Sequence, residues 1–135
     1  MWAAGHAALW SPDDPAAAVA KLRSTIDATS MLRGAWIVNV RRSLEAAIAA
    51  LEGRTEEAAA AYAEALKTWR TLQLPFDHAM TVADAVTVLD PALLPEGAVE
   101  DARAFLQRIG AEPALARLVR ATAGASADVS AAPGA

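Results

Sequence analysis

The side chains able to do chemistry are few in this chain of 135 residues: cysteine is absent, and histidine occurs only as His6 and His78. Without cysteine there is no disulfide frame, no thiolate metal site and no thiol nucleophile. A histidine that binds metal or acts as a base on a helix needs a carboxylate or a second histidine three or four residues away, on the same face. Neither histidine has one, and Asp77 and Asp84 stand at unsuitable offsets from His78. Both therefore read as ordinary helix residues. Asp13-Asp14 beside Ser11 reads as a helix start, because carboxylates in a first turn meet the positive end of the helix dipole. No glycine-rich loop carrying Lys and Ser or Thr is present, so a phosphate cradle is not expected. The chain reads as a non-enzyme with no metal and no cofactor.

Charge narrows the partners. The net charge is -4 and the pI about 5.1, which disfavours the phosphate-neutralising contact of nucleic-acid binders. Arg41-Arg42 with Lys21, Arg23 and Arg33 makes the front half the more basic one. These read as a solvated face, with Arg41 and Glu45 four apart and able to pair for about 0.2 to 0.5 kcal/mol. Glu52, Glu56, Glu57 and Glu64 read as solvating surface. The apolar start, residues 1–10, has no basic segment before it, and Asp13 and Asp14 interrupt it well short of a membrane span. The expectation is a soluble, cytoplasmic protein.

These residues must be positioned by helices. Alanine supplies 37 of the 135 residues, and alanine loses no side-chain entropy on becoming helical. Ile37, Val40, Leu44, Ala47, Ile48 and Leu51 form one helical stripe; Ala58, Tyr62, Ala65, Leu66, Trp69 and Leu72 form another. Between them Gly53 can take the left-handed conformation that ends a helix, and Thr55 can cap the next. So short a link predicts an antiparallel hairpin.

The layout recurs at an offset of 40 residues. Leu22, Tyr62 and Ala102 correspond, as do Thr25, Ala65 and Phe105, Ile26, Leu66 and Leu106, and Thr29, Trp69 and Ile109. Trp36 corresponds to Phe76, Val40 to Met80 and Ile48 to Val88. Breakers at 11–15, 53–55 and 94–97 precede the matched helices. The reading is an all-α fold of antiparallel helix-hairpin repeats with about seven helices: 2–10, 13–32, 36–51, 55–72, 76–89, 97–109 and 113–122. Units 1–32, 36–72 and 76–109, with the terminal helix, make one domain over 1–122. The connection 90–95, with two prolines, reads as a stiff surface loop, and residues 123–135, small and polar, as a disordered tail.

The stretch Leu51-Glu52-Gly53-Arg54-Thr55-Glu56-Glu57-Ala58, with Tyr62, Ala65 and Leu66, resembles the second half of a tetratricopeptide repeat. The continuation, residues 69–79 and then 106–111, is similar to the C-terminal helical repeats of large bacterial signalling ATPases, in which an AAA-type core is joined to a cyclase-like or LuxR-type DNA-binding domain. The closing proline of a 34-residue repeat is missing, and that repeat's register would bury Arg42 and Glu45, which marks a longer variant of 40 residues. The resemblance implies a right-handed hairpin array from, or related to, a bacterial signalling or transcriptional regulator. Its partners would be another protein or the domains of a parent chain.

Stacked hairpins present a concave face, and the 40-residue offset pairs Arg41 with Thr81. With Glu45 and His78 these are the predicted protein-binding residues. Trp2, Leu9 and Trp10 share one face of the first helix with His6, where a stack has no earlier neighbour. That face reads as a self-association surface, as in a homodimer, as a contact with another domain, or as a face covered by folding back on helix 13–32. Trp36 and Trp69 fit core stripes. The alternative to a protein-binding array is a regulatory small-ligand domain, with an apolar pocket lined by Trp36, Trp69 and Phe76.

Overall fold

The computed structural model describes the backbone of residues 2–9 and 14–131 and the side chains of 5–9 and 14–126. Among these residues the fold is all-helical: α1 (Trp2–Leu9), α2 (Pro15–Ala28), α3 (Ala35–Leu51), α4 (Thr55–Thr71), α5 (Pro75–Val88), α6 (Ala98–Ile109) and α7 (Glu112–Ala131), with a 3-10 turn at Pro91–Leu93. No described helix is long and apolar enough to cross a membrane.

Local chemistry sets the helix ends. Asp14 caps α2, its Oδ1 accepting from the amides of Ala16 at 3.0 Å and Ala17 at 3.2 Å, with Pro15 in the first turn. The helix predicted over 13–32 stops at Ala28, where the Thr29 hydroxyl and amide both turn back onto the Ile26 carbonyl. Thr55 caps nothing and is the first residue of α4. After α3, Gly53 (φ 80°) and Arg54 donate to the carbonyls of Ala50 and Ala49. After α6, Gly110 (φ 70°) and Ala111 do the same to Gln107 and Leu106. This is the left-handed helix ending in which glycine has no steric penalty. α7 runs to Ala131, beyond the expected end at 122, because Ala-rich sequence propagates a helix already begun.

Successive helices pack on one another along the whole chain, α3 and α4 most extensively, and α5 additionally touches α1, α3 and α7. The predicted stripes are the core: Ile37, Val40, Leu44, Ala47 and Ile48 of α3 and Ala58, Tyr62, Ala65, Leu66 and Trp69 of α4 are buried. Leu51 and Leu72 at the stripe ends are half-buried. Leu22, Tyr62 and Ala102 are all fully enclosed. Trp36, expected in the core, lies at the surface, 39% exposed. It occupies the first turn of α3, and its Nε1 donates to Asp77 Oδ1 of α5 at 3.0 Å.

The first helix folds back onto the later ones. Gly5 of α1 meets Leu44 of α3 so closely that a Cβ there would stand 2.7 Å from Leu44 Cδ2. His6 Nδ1 lies 2.5 Å from Asp84 Oδ2 of α5, both side chains buried. Leu9, assigned from sequence to a self-association surface, a contact with another domain or a packing onto the second helix, is core, 6% exposed, and α1 packs on α2 as well as on α3 and α5. Trp10 and the side chain of Trp2, assigned to the same surface, lie outside the described residues.

The His6–Asp84 contact is a buried hydrogen bond to a carboxylate, a class that contributes about 1.5 to 3 kcal/mol. We expect His6→Ala to lower stability to urea by that amount. Hydrogen exchange should then quicken in α1 first, with α3 to α6 still protected; equal loss of protection throughout would show that α1 is not a separable element.

Candidate functional site

α5 is enclosed from His78 to Val86, so each of its polar groups has to be satisfied inside the protein. Thr81 accepts from Trp69 Nε1 at 2.8 Å and donates to the Asp77 carbonyl at 2.8 Å. Asp84 holds His6, and Thr87 donates to the Asp84 carbonyl at 2.6 Å. The Tyr62 phenol lies near Asp84 and is held well above its usual pKa, first by burial and then by the Asp84 charge. The Arg117 guanidinium of α7 is pushed down by burial and by Arg120, with Asp84 opposing. Histidine beside aspartate is an arrangement found in general-base catalysis, but both side chains are buried, and none of the three described clefts is lined by His6, Tyr62 or Asp84. The pair ties helices together. Among the described residues no group of three or more His, Asp or Glu could hold a metal ion.

The polar groups that converge on an opening lie where α4 ends, α5 begins and α6 passes. This cleft has a volume of about 480 Å³; Trp69, Leu74, Pro75 and Phe105 line it with Arg70, Gln73, His78, Asp101 and Arg108. Arg70 and Asp101, both exposed, pair across its mouth at 2.7 Å. The Arg108 guanidinium stands over the Phe105 ring, 5.2 Å from its centroid, a cation–π geometry. His78 is 7% exposed and its Nε2 has no hydrogen-bond partner. Burial lowers its pKa from the ordinary imidazole value; Arg70 adds to the effect and Asp101 opposes it.

Gln73 completes the cleft in an uncommon backbone state, φ 57°. It ends α4 as Gly53 and Gly110 end α3 and α6: its amide donates to Arg70 and that of Leu74 to Trp69. It is the only described residue other than glycine with positive φ, a conformation that costs an L-residue of this type roughly 1 kcal/mol.

The four residues predicted to share a concave face do not share one. Arg41 is turned toward the end of α2, its Nε donating to Thr29 Oγ1 at 3.0 Å and its Nη2 to the Leu32 carbonyl at 3.0 Å. It makes these bonds in place of the anticipated pairing with Glu45. Glu45 is exposed in a second cleft of about 310 Å³, with Arg23, Asp27, Arg54 and Glu57. Thr81 is fully buried beneath Trp69, and His78 is the wall of the α4–α6 cleft. The pocket expected from Trp36, Trp69 and Phe76 is not among the described clefts either. Trp69 is buried and lines the α4–α6 cleft, whereas Trp36 and Phe76 are exposed and line no described cleft. Arg70, Gln73, Phe105 and Arg108 were not anticipated. The one available signal was Gln73, a residue other than glycine at a helix-ending turn.

The lowered pKa of His78 gives stability a sign with pH. The folded state takes up this proton less readily than the unfolded chain, so its contribution is complete above the unfolded imidazole value of about 6.5 and is lost as pH falls toward the folded value. We expect His78→Gln to flatten the fall of the urea midpoint between roughly pH 7 and 5; an unchanged slope would place the ring in water.

No family model, curated protein or solved structure matches this chain.

Proposed function

We propose that the chain is a non-catalytic protein-interaction module: a tetratricopeptide-like array of helix hairpins with a 40-residue repeat, related to the helical regions of bacterial signalling and transcriptional regulators. Environments 40 residues apart support the array. Arg41 of α3 bonds Thr29 at the end of α2, and Thr81 of α5 bonds Trp69 at the end of α4, with donor and acceptor exchanged. Leu44 and Asp84 both meet α1. Trp36 and Phe76 are both exposed on first helical turns.

The observation that carries the reading is the apolar edge at that end of the molecule. Met31 is 82% exposed and Leu32 51%; they precede Trp36, which reaches across to Asp77, the neighbour of Phe76. Isolated exposed apolar residues are ordinary, whereas an exposed tryptophan and phenylalanine brought near one another by the Trp36–Asp77 bond have the composition of a binding hot spot. Contact is made by this edge and not by the side of α3 and α5 against which α1 packs.

A photo-crosslinking residue at position 36 or 76, tested against the exposed position 60 of α4, checks this in cells. We expect a discrete adduct from 36 and 76 only. The purified partner should bind the chain about tenfold or more weakly after Trp36→Ser with Phe76→Ser, helical content being unchanged. Adducts no stronger at 36 and 76 than at 60 would end the proposal.

A further inference from the structure

We infer that the cleft between α4, α5 and α6 is a binding site for a small organic acid, an aromatic carboxylate that also carries a hydroxyl group. Three features on separate elements define that chemistry. At the mouth, Arg108 has no carboxylate partner among the described residues, since Asp101 is engaged by Arg70. Guanidinium held over an aromatic ring is preset to accept a carboxylate, and the Gln73 amide beside it can donate to the same group. The walls of Leu74, Pro75 and Phe105 offer contact to a flat apolar body. The His78 imidazole forms the remaining wall, and its Nε2 lacks a partner, which is costly for a buried polar atom. Nε2 is closed to solvent, and a hydroxyl that enters past the rim of the cleft can donate to it or accept from it, so it satisfies either tautomer. About 480 Å³ accommodates one small molecule and not a folded partner.

Gln73 is the independent sign that the cleft is kept for a ligand. Glycine ends α3 and α6 with the same turn, whereas here a side chain is retained in a left-handed conformation at a cost to stability. A residue that strains the backbone and lines a cleft is the pattern of a site favoured over stability. The site is separate from the apolar edge of Trp36 and Phe76, so either can fail without the other.

The test uses 4-hydroxyphenylacetate as probe and the amide chemical shifts of the full chain as readout. We expect saturable shifts confined to residues 69–78 and 101–108. Both Arg108→Ala and the neutral analogue 4-hydroxyphenylacetamide should weaken binding about tenfold or more, as loss of a charge-assisted contact does. Removing the hydroxyl, as phenylacetate, should weaken binding to the native chain but make no further difference in His78→Phe. Gln73→Gly should raise the urea midpoint and weaken the probe together, a combination that a purely structural glutamine would not give. No saturable shift up to about 10 mM probe, shifts centred elsewhere, or equal binding by Arg108→Ala or by the amide would each overturn the assignment. Should His78→Phe not fold, His78→Leu read against phenylacetate decides the same point.

Discussion

The organising constraint is the burial of α5. A helix covered on every side cannot leave polar groups to water, so each must meet a partner from another element, and those meetings dictate where the other helices go. Thr81 fixes the end of α4 through Trp69, and Asp84 fixes α1 through His6. The apolar remainder, Ala79, Met80, Val82, Ala83, Ala85 and Val86, is mostly small, which lets neighbouring helices approach closely on several sides at once. His78 is the exception on this helix, and the α4–α6 cleft lies where its requirement goes unmet.

That constraint also explains what was legible in the sequence. The amphipathic helices α3 and α4 show a clear 3.6-residue stripe, and their core residues follow from it. The glycine breakers mark the turns, so helix number and order follow as well. α5 has no polar face to contrast with an apolar one, and its Thr, His and Asp resemble surface residues when read alone. His78 and Thr81 were for that reason placed on an open face although both are buried. The partner of Asp84 lies 78 residues away, a separation that no local pattern encodes.

The cleft residues were hidden for a different reason. Arg70, Phe105 and Arg108 are ordinary choices for the ends of helices, basic groups complementing the last turn in particular, and each is explained locally without a ligand. Only their convergence around His78 gives them a joint chemistry, and convergence is a property of packing. Trp36 shows the converse. Its spacing fits a core stripe, but it stands on the first turn of α3, bonds Asp77 of α5 and is exposed.

A stack of hairpins in which each unit touches only its neighbours can fray from either end, its stability being close to a sum of local terms. The return of α1 onto α5 breaks that one-dimensional order, since it joins the first helix to the fifth across the intervening hairpin. The contact closes a long loop of chain, an entropic cost that grows only slowly with loop length, and it makes loosening of the first helix felt at the centre of the molecule. An event that lifts α1 would accordingly uncover Asp84, on the helix that α6 and α7 pack against.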